Sequence, residues 1–199
     1  MIIRVGIIGT AGRQADATKL NAALFDAMLA DAAQLIGDVA VTLVSGGAAF
    51  ADHAAVALWL RGGQAGCPIH KLELHLPAKW DSTRAQYAEV IEDSKHPGTV
   101  SNRYHRAFSN SCNRNSLREL NEAITAEEVL VRVTPGFKPR NMHVGRVDKL
   151  IAYTFGDSRY APTDGGTAHT WLHSYSPNKI HRALSDLGAA SLAYNTYPA

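Results

Sequence analysis

A length of 199 residues fits one compact domain, and 46% hydrophobic with 19% charged residues excludes the composition of a disordered chain. A formal charge of +2 is too small to indicate nucleic-acid binding by charge alone. Cys67 and Cys112 have no CxxC partner, which excludes a disulfide framework and a structural zinc site, so neither a metal nor a cofactor is expected and a reducing cytoplasm is the expected location.

The run Ile2 to Ile8 reads as a buried parallel strand, too short and wrongly charged for a signal peptide. It ends in Gly9-Thr10-Ala11-Gly12-Arg13, a tight loop suited to a phosphate. Leu20, Leu24, Met28 and Leu35 then stand at helical spacing and predict a first crossover helix over Asp16 to Ile36. A second strand is predicted over Val39 to Val44, a helix over Ala48 to Leu60, and a third strand from Lys71 to Leu76, stopped by Pro77.

Between Trp80 and Arg118 the alternation lapses. Short helices are predicted over Ser82 to Glu92 and Asn115 to Ala126, flanking a polar segment that reads as an insertion. Strands return at Val129 to Val133 and Leu150 to Gly156. A last helix is predicted over Asn178 to Ala193, with Ser176 or Asn178 as its cap.

The reading is an α/β protein: a three-layer α/β/α Rossmann-like sandwich with a mainly parallel sheet of about five strands. It forms a single domain over residues 1–199, with a basic insertion at about 80–118. In such sheets ligands sit beyond the carboxyl ends of the strands, where strand order reverses. Three polar loops follow strand ends here: Gly9 to Arg13, Ser45 to Gly47, and Gly156 to Thr170.

Each loop carries candidate chemistry. Thr10 and Arg13 stand beside Gly9 and Gly12, and Arg13 offers a planar fork to a phosphate. Ser45-Gly46-Gly47 joins an apolar strand to a helix, a junction where free amides and the helix dipole face one point. Asp52 can bond ribose hydroxyls, act as a base, or favour the dipole. Gly165-Gly166-Thr167 forms a second glycine-to-helix junction. His169 and His173 stand four residues apart but lack the glutamate of HExxH, so a metal is not expected there. From Ser94 to Arg118, Lys95, Arg103, Arg106, Arg114 and Arg118 face no acidic residue, giving a local charge of +5. That segment reads as a solvated insertion, a lid on a polyanion, or a single-strand track on which Tyr104 and Phe108 stack bases.

The stretch LVSGGAAFADHAA, Leu43 to Ala55, resembles the SGGAxGxDxxAH segment of the SLOG superfamily, which joins DNA-processing protein A, Lonely-guy and short YspA-like proteins. Phe137-Lys138-Pro139-Arg140-Asn141 followed by Val147 to Ala152 is similar to that superfamily's F-x-x-RN and D-x-v-v passages. Gly165 to Thr170 resembles its SGTxxTA helix start, and Ile7 to Arg13 its opening vGtR loop. The resemblance runs in order over nearly the whole chain outside the basic insertion, and the short YspA-like branch is the nearest.

This resemblance implies a nucleotide or nucleotide-derived ligand, with a sensor role, held by Gly46, Gly47, Arg140, Asn141, Gly166 and Thr167, with Asp52 on the ribose. It also implies a homo-oligomer. An alternative is N-glycosidase, phosphoribohydrolase or glycosyl-transfer chemistry with Asp52 or His169 as acid or base. No glutamate corresponds to the one in the Lonely-guy PGGxGTxxE motif, because none occurs from Gly165 to Trp171. A further alternative is single-stranded DNA binding through Arg103 and Arg106.

Overall fold

A computed structural model describes residues 2–62, 68–90, 92–156 and 158–188. Strand β1 (Ile3–Gly9) lies at the centre of the sheet because its residues are buried on both faces: Val5 and Ile7 point to one, Ile8 to the other. β2 (Val41–Ser45) and β3 (Ile69–Leu76) follow to one side, and β6 (Val129–Val133) closes that edge. β7 (Lys149–Thr154) and β8 (Asn178–Ala183) lie on the other side of β1. The order β6-β3-β2-β1-β7-β8 is parallel at every pairing, with Gly6 opposite Val44 of β2 and Leu150 of β7. The fold is therefore the expected α/β sandwich, with six strands where about five were expected.

One face of the sheet carries α1 (Ala22–Ile36), α2 (His53–Leu60), α3 (Pro97–Cys112) and α4 (Ser116–Ile124) over the larger core. Phe25, Phe50 and Phe108 meet at its centre, with ring centroids 5.0–5.6 Å apart. The opposite face carries α5 (Phe137–Val144) and α6 (Gly165–His173) over a smaller cluster of Ile8, Val44, Val144, Val147, Leu150 and Ala152. The order of strand addition reverses between β1 and β7, so the switch point lies at their carboxyl ends.

The structure corrects several predicted elements. The first crossover helix is split: a 3-10 turn over Gln14–Lys19 precedes α1, whose start is capped by Asn21, its side chain accepting from the Leu24 N–H at 2.9 Å. Residues 48–52 form a turn, and α2 begins only at His53. The described residues of Ser82 to Glu92 form no helix. β4 (Trp80–Asp81) and β5 (Gln86–Tyr87) make an antiparallel hairpin there, turned by the Asp81 carboxylate, which accepts from the Thr83 and Arg84 amides.

The polar segment contains α3, a helix of 16 residues. Asn178 to Ala183 is a strand rather than the start of a helix, and Ser176 bonds the Asp148 and Asn178 carbonyls instead of capping one. Helix follows only at 184–188. Residues 189–193 of the predicted helix, and Cys67, lie outside the described residues.

Candidate functional site

A cavity of about 660 Å³ opens beyond the carboxyl ends of β1 and β7. The first and third of the polar loops reach it, and backbone bonds tie the first to β7 and to the turn before α2. Thr10 N–H donates to the Tyr153 carbonyl at 2.9 Å, and Ala51 N–H donates to the Thr10 carbonyl at 3.2 Å. Gly9 forms the floor, where a Cβ would lie 2.1 Å from the Tyr153 carbonyl oxygen, so only glycine permits this approach.

Gly9, Thr10, Arg13, Asp52, Arg140, Asn141, Gly165, Gly166 and Thr167 all line this cavity. Gly12, Ser45, Gly46 and Gly47 do not line it; they shape it from beneath. Gly12 takes φ +77° and its amide donates to Thr10 Oγ1 at 3.1 Å. Ser45 Oγ donates to the Asp52 carbonyl at 2.8 Å and accepts from Gly47 N–H at 3.1 Å. The Gly47 amide is thus spent inside the loop rather than turned to the cavity. Its carbonyl, in turn, accepts from Tyr87 O–H and from His105 Nε2–H.

Gly46 has a different use. A Cβ there would lie 1.6 Å from Arg140 Nη1, so the guanidinium occupies the space that a side chain would fill. Arg140 is 6% exposed and donates from Nη1 to Asp52 Oδ2 at 3.2 Å. Asp52 Oδ1 accepts from Gly9 N–H at 3.1 Å. Burial raises the Asp52 carboxyl above its ordinary range, while Arg140 and the Gly9 amide draw it back down. Both Asp52 oxygens are engaged, which suits a carboxylate that positions Arg140 better than one that moves protons. Arg140 lines the cavity, and its Nε is buried with no hydrogen-bond partner.

The next residue joins this cation to a helix terminus. Asn141 Nδ2 donates to the Gly166 carbonyl at 3.1 Å, drawing the start of α6 against α5. Asp164 precedes α6 in extended conformation and its side chain caps no amide, so the first-turn N–H groups at Gly165, Gly166 and Thr167 have no intrahelical partner. They lie on the cavity wall. Gly165 takes φ +69°, and Arg13 Nη1 stands 2.8 Å from where its Cβ would be. Arg13, Arg140 and the positive end of α6 therefore line one cavity, an arrangement suited to an anion, with Arg13 Nη1 also 4.0 Å from the Asp164 carboxylate.

The rest of the cavity is mixed, with Gln14, Asp16, Thr154, Thr163 and Asp164 beside apolar and aromatic side chains. Val100, Ser101 and Tyr104 of α3 line it, as do Ala48, Ala49, Phe137 and Phe155. The sequence offered this segment as a solvated insertion, a lid or a single-strand track, and did not identify Val100, Ser101 and Tyr104 together as a cavity wall. The expectation that Phe108 stacks bases is corrected: Phe108 is fully buried in the core. Arg103 and Arg106 lie outside the cavity, and Arg106 Nη2 pairs with Glu89 at 3.3 Å. Arg114 pairs with Glu119 at 2.9 Å, so the segment's charge is partly offset by neighbours.

His169 also lies outside the cavity, stacked on His173 at 4.3 Å. Among the described residues no group of three or more His, Cys, Asp or Glu could hold a metal ion.

No protein-family model matches the chain, and no solved structure matches it. An uncharacterized protein of Acanthamoeba polyphaga mimivirus is 33% identical over 191 residues, covering 92% of this chain and 97% of the viral one. Similarity of that extent along both chains is that of one family, and the chain belongs to the family of this mimivirus protein.

Proposed function

We propose that the cavity binds a nucleotide or nucleotide-derived ligand, with its phosphate between Arg140, Arg13 and the first turn of α6, and that the protein acts by binding, as a sensor does. The observation that carries this reading is the buried Arg140 guanidinium, its Nε unpartnered, beside a helix start whose amides are also unpartnered. The motif order that resembles the SLOG superfamily supports the same reading, as does a cavity of about 660 Å³ at the switch point. Asp52 holds Arg140 in place, and Thr167 offers a hydroxyl to the ligand.

Calorimetric titration with nucleoside 5′-monophosphates tests this. Arg140→Gln removes the charge but keeps a polar side chain, and its loss costs about 1.5–3 kcal/mol of binding, the worth of a hydrogen bond to a charged group. Unchanged affinity in that variant contradicts the assignment. Single-stranded DNA binding is favoured less, because Arg106 is already paired with Glu89. That alternative requires affinity that falls steeply with salt and disappears when Arg103 and Arg106 become Ala.

A further inference from the structure

α3 enters the wall of the cavity with one helical face, Val100, Ser101 and Tyr104, and the neighbouring residues on the same helix fix how that face is turned. His105 is fully buried and sits next to Tyr104. Its Nε2 lies 3.0 Å from the Gly47 carbonyl, which can only accept, so Nε2 carries the proton and Nδ1 accepts from Ser116 Oγ at 3.0 Å. Asn102, also buried, accepts from Tyr87 N–H at 3.0 Å and donates to the Tyr87 carbonyl at 2.9 Å, much as a neighbouring strand would. Tyr87 O–H in turn donates to the same Gly47 carbonyl. Tyr104 is therefore held on a helix bonded directly to the loop that cradles Arg140.

Tyr104 is half-buried, packed partly on the core and partly lining the cavity. The Arg103 guanidinium lies over its ring at 5.6 Å but does not line the cavity. Phe155, after β7, is a second cavity-lining ring, and it carries the Lys19 ammonium at 5.0 Å. Each ring thus has a cation near it from outside the cavity and offers apolar surface within. Cationic groups with a free helix start and fixed aromatic surface in one cavity suit a ligand that carries both a phosphate and a flat ring.

We infer that Tyr104 is the stacking platform for the aromatic base of the ligand, and that α3 is the specificity wall of the site rather than an appended basic segment. This rests on the nucleotide reading of the cavity. The phosphate and base contacts come from different elements, so they separate in an experiment.

The test is calorimetric titration of the whole chain with ribose 5-phosphate and with each of the four common ribonucleoside 5′-monophosphates, in the unsubstituted protein, Tyr104→Ala, Tyr104→Phe and Arg140→Gln. The preferred monophosphate binds about tenfold or more tighter than ribose 5-phosphate, as one stacked base contributes. Tyr104→Ala collapses that ratio towards one. Tyr104→Phe, which keeps the ring and controls for folding, preserves it.

Equal affinity for ribose 5-phosphate and every monophosphate overturns the inference, as does a ratio retained in Tyr104→Ala. Both outcomes leave the phosphate site standing if Arg140→Gln still weakens ribose 5-phosphate. Absence of binding by all five probes, or binding indifferent to Arg140, overturns the nucleotide reading itself and the inference with it.

Discussion

Gly46 and Arg140 share one volume, and the site depends on that exchange. The missing side chain at Gly46 lets a guanidinium lie over the loop, where Asp52 holds it. Gly46→Ala therefore displaces Arg140. We predict destabilisation of about 1–3 kcal/mol from overpacking, together with loss of phosphate binding, read by thermal melting and calorimetry. Asp52→Ala leaves the buried cation unpaired and costs about 3–5 kcal/mol, measured by denaturant unfolding.

That glycines mark this loop was legible in the sequence, and so were Asp52, Arg140 and the α6 start. Their division of labour was not. Sequence places amides wherever glycines occur, but only coordinates show that the Gly47 amide is consumed by Ser45 Oγ. Tyr104 was legible as a candidate for stacking, but Phe155 was not, and nothing in the sequence brings the two to one cavity, because they belong to segments far apart in the chain.

Among the elements, α3 shows why the middle of the chain resisted reading. Its buried positions are Gly98, Ser101, Asn102, His105, Phe108 and Cys112, which follow helical spacing but are mostly polar, so apolar periodicity is invisible. Hydrogen bonds from Asn102 and His105 hold this face down together with the buried Phe108 and Cys112. Asn102→Ala is predicted to cost about 1–3 kcal/mol for each Tyr87 backbone group left unpaired, measurable by denaturant unfolding.

β8 misled for the opposite reason. Ile180, Leu184 and Leu187 stand at helical spacing, yet a strand ends at Ala183 and only the last two of these lie in the helix.

The histidines beneath α3 also set a pH dependence. Burial drives His105 down to about 3 and lowers His53, so both rings are neutral in the fold. The unfolded chain takes up those protons below about 6.5, and stability therefore falls as pH drops through that value. Glu73, held near 2 by His75 and Arg4, adds a further loss only below its ordinary value of 4.5. A melting temperature that declines between pH 7.5 and pH 5 is expected, and one that is level over that interval contradicts neutral buried histidines.

Over the whole molecule, the sheet order fixes where function can lie. The chain leaves β1 towards β6 on one side and returns to β7 on the other, opening a crevice walled by α3 from one face and by α5 and α6 from the other. The alternation of strands and helices made this architecture legible. The sixth strand was hidden because Asn178 to Ala183 carries one large apolar residue, Ile180, too few to show a strand period. Among the described residues no helix is long and apolar enough to cross a membrane.

The central claim is that this crevice grips a phosphate-bearing ligand by Arg140 and the start of α6. A crystal structure of the chain soaked with its preferred nucleoside 5′-monophosphate tests it most directly. The account predicts phosphate density within hydrogen-bond reach of the Arg140 guanidinium and the Gly166 and Thr167 amides. Ligand density elsewhere on the molecule, with those donors still unpartnered, contradicts it.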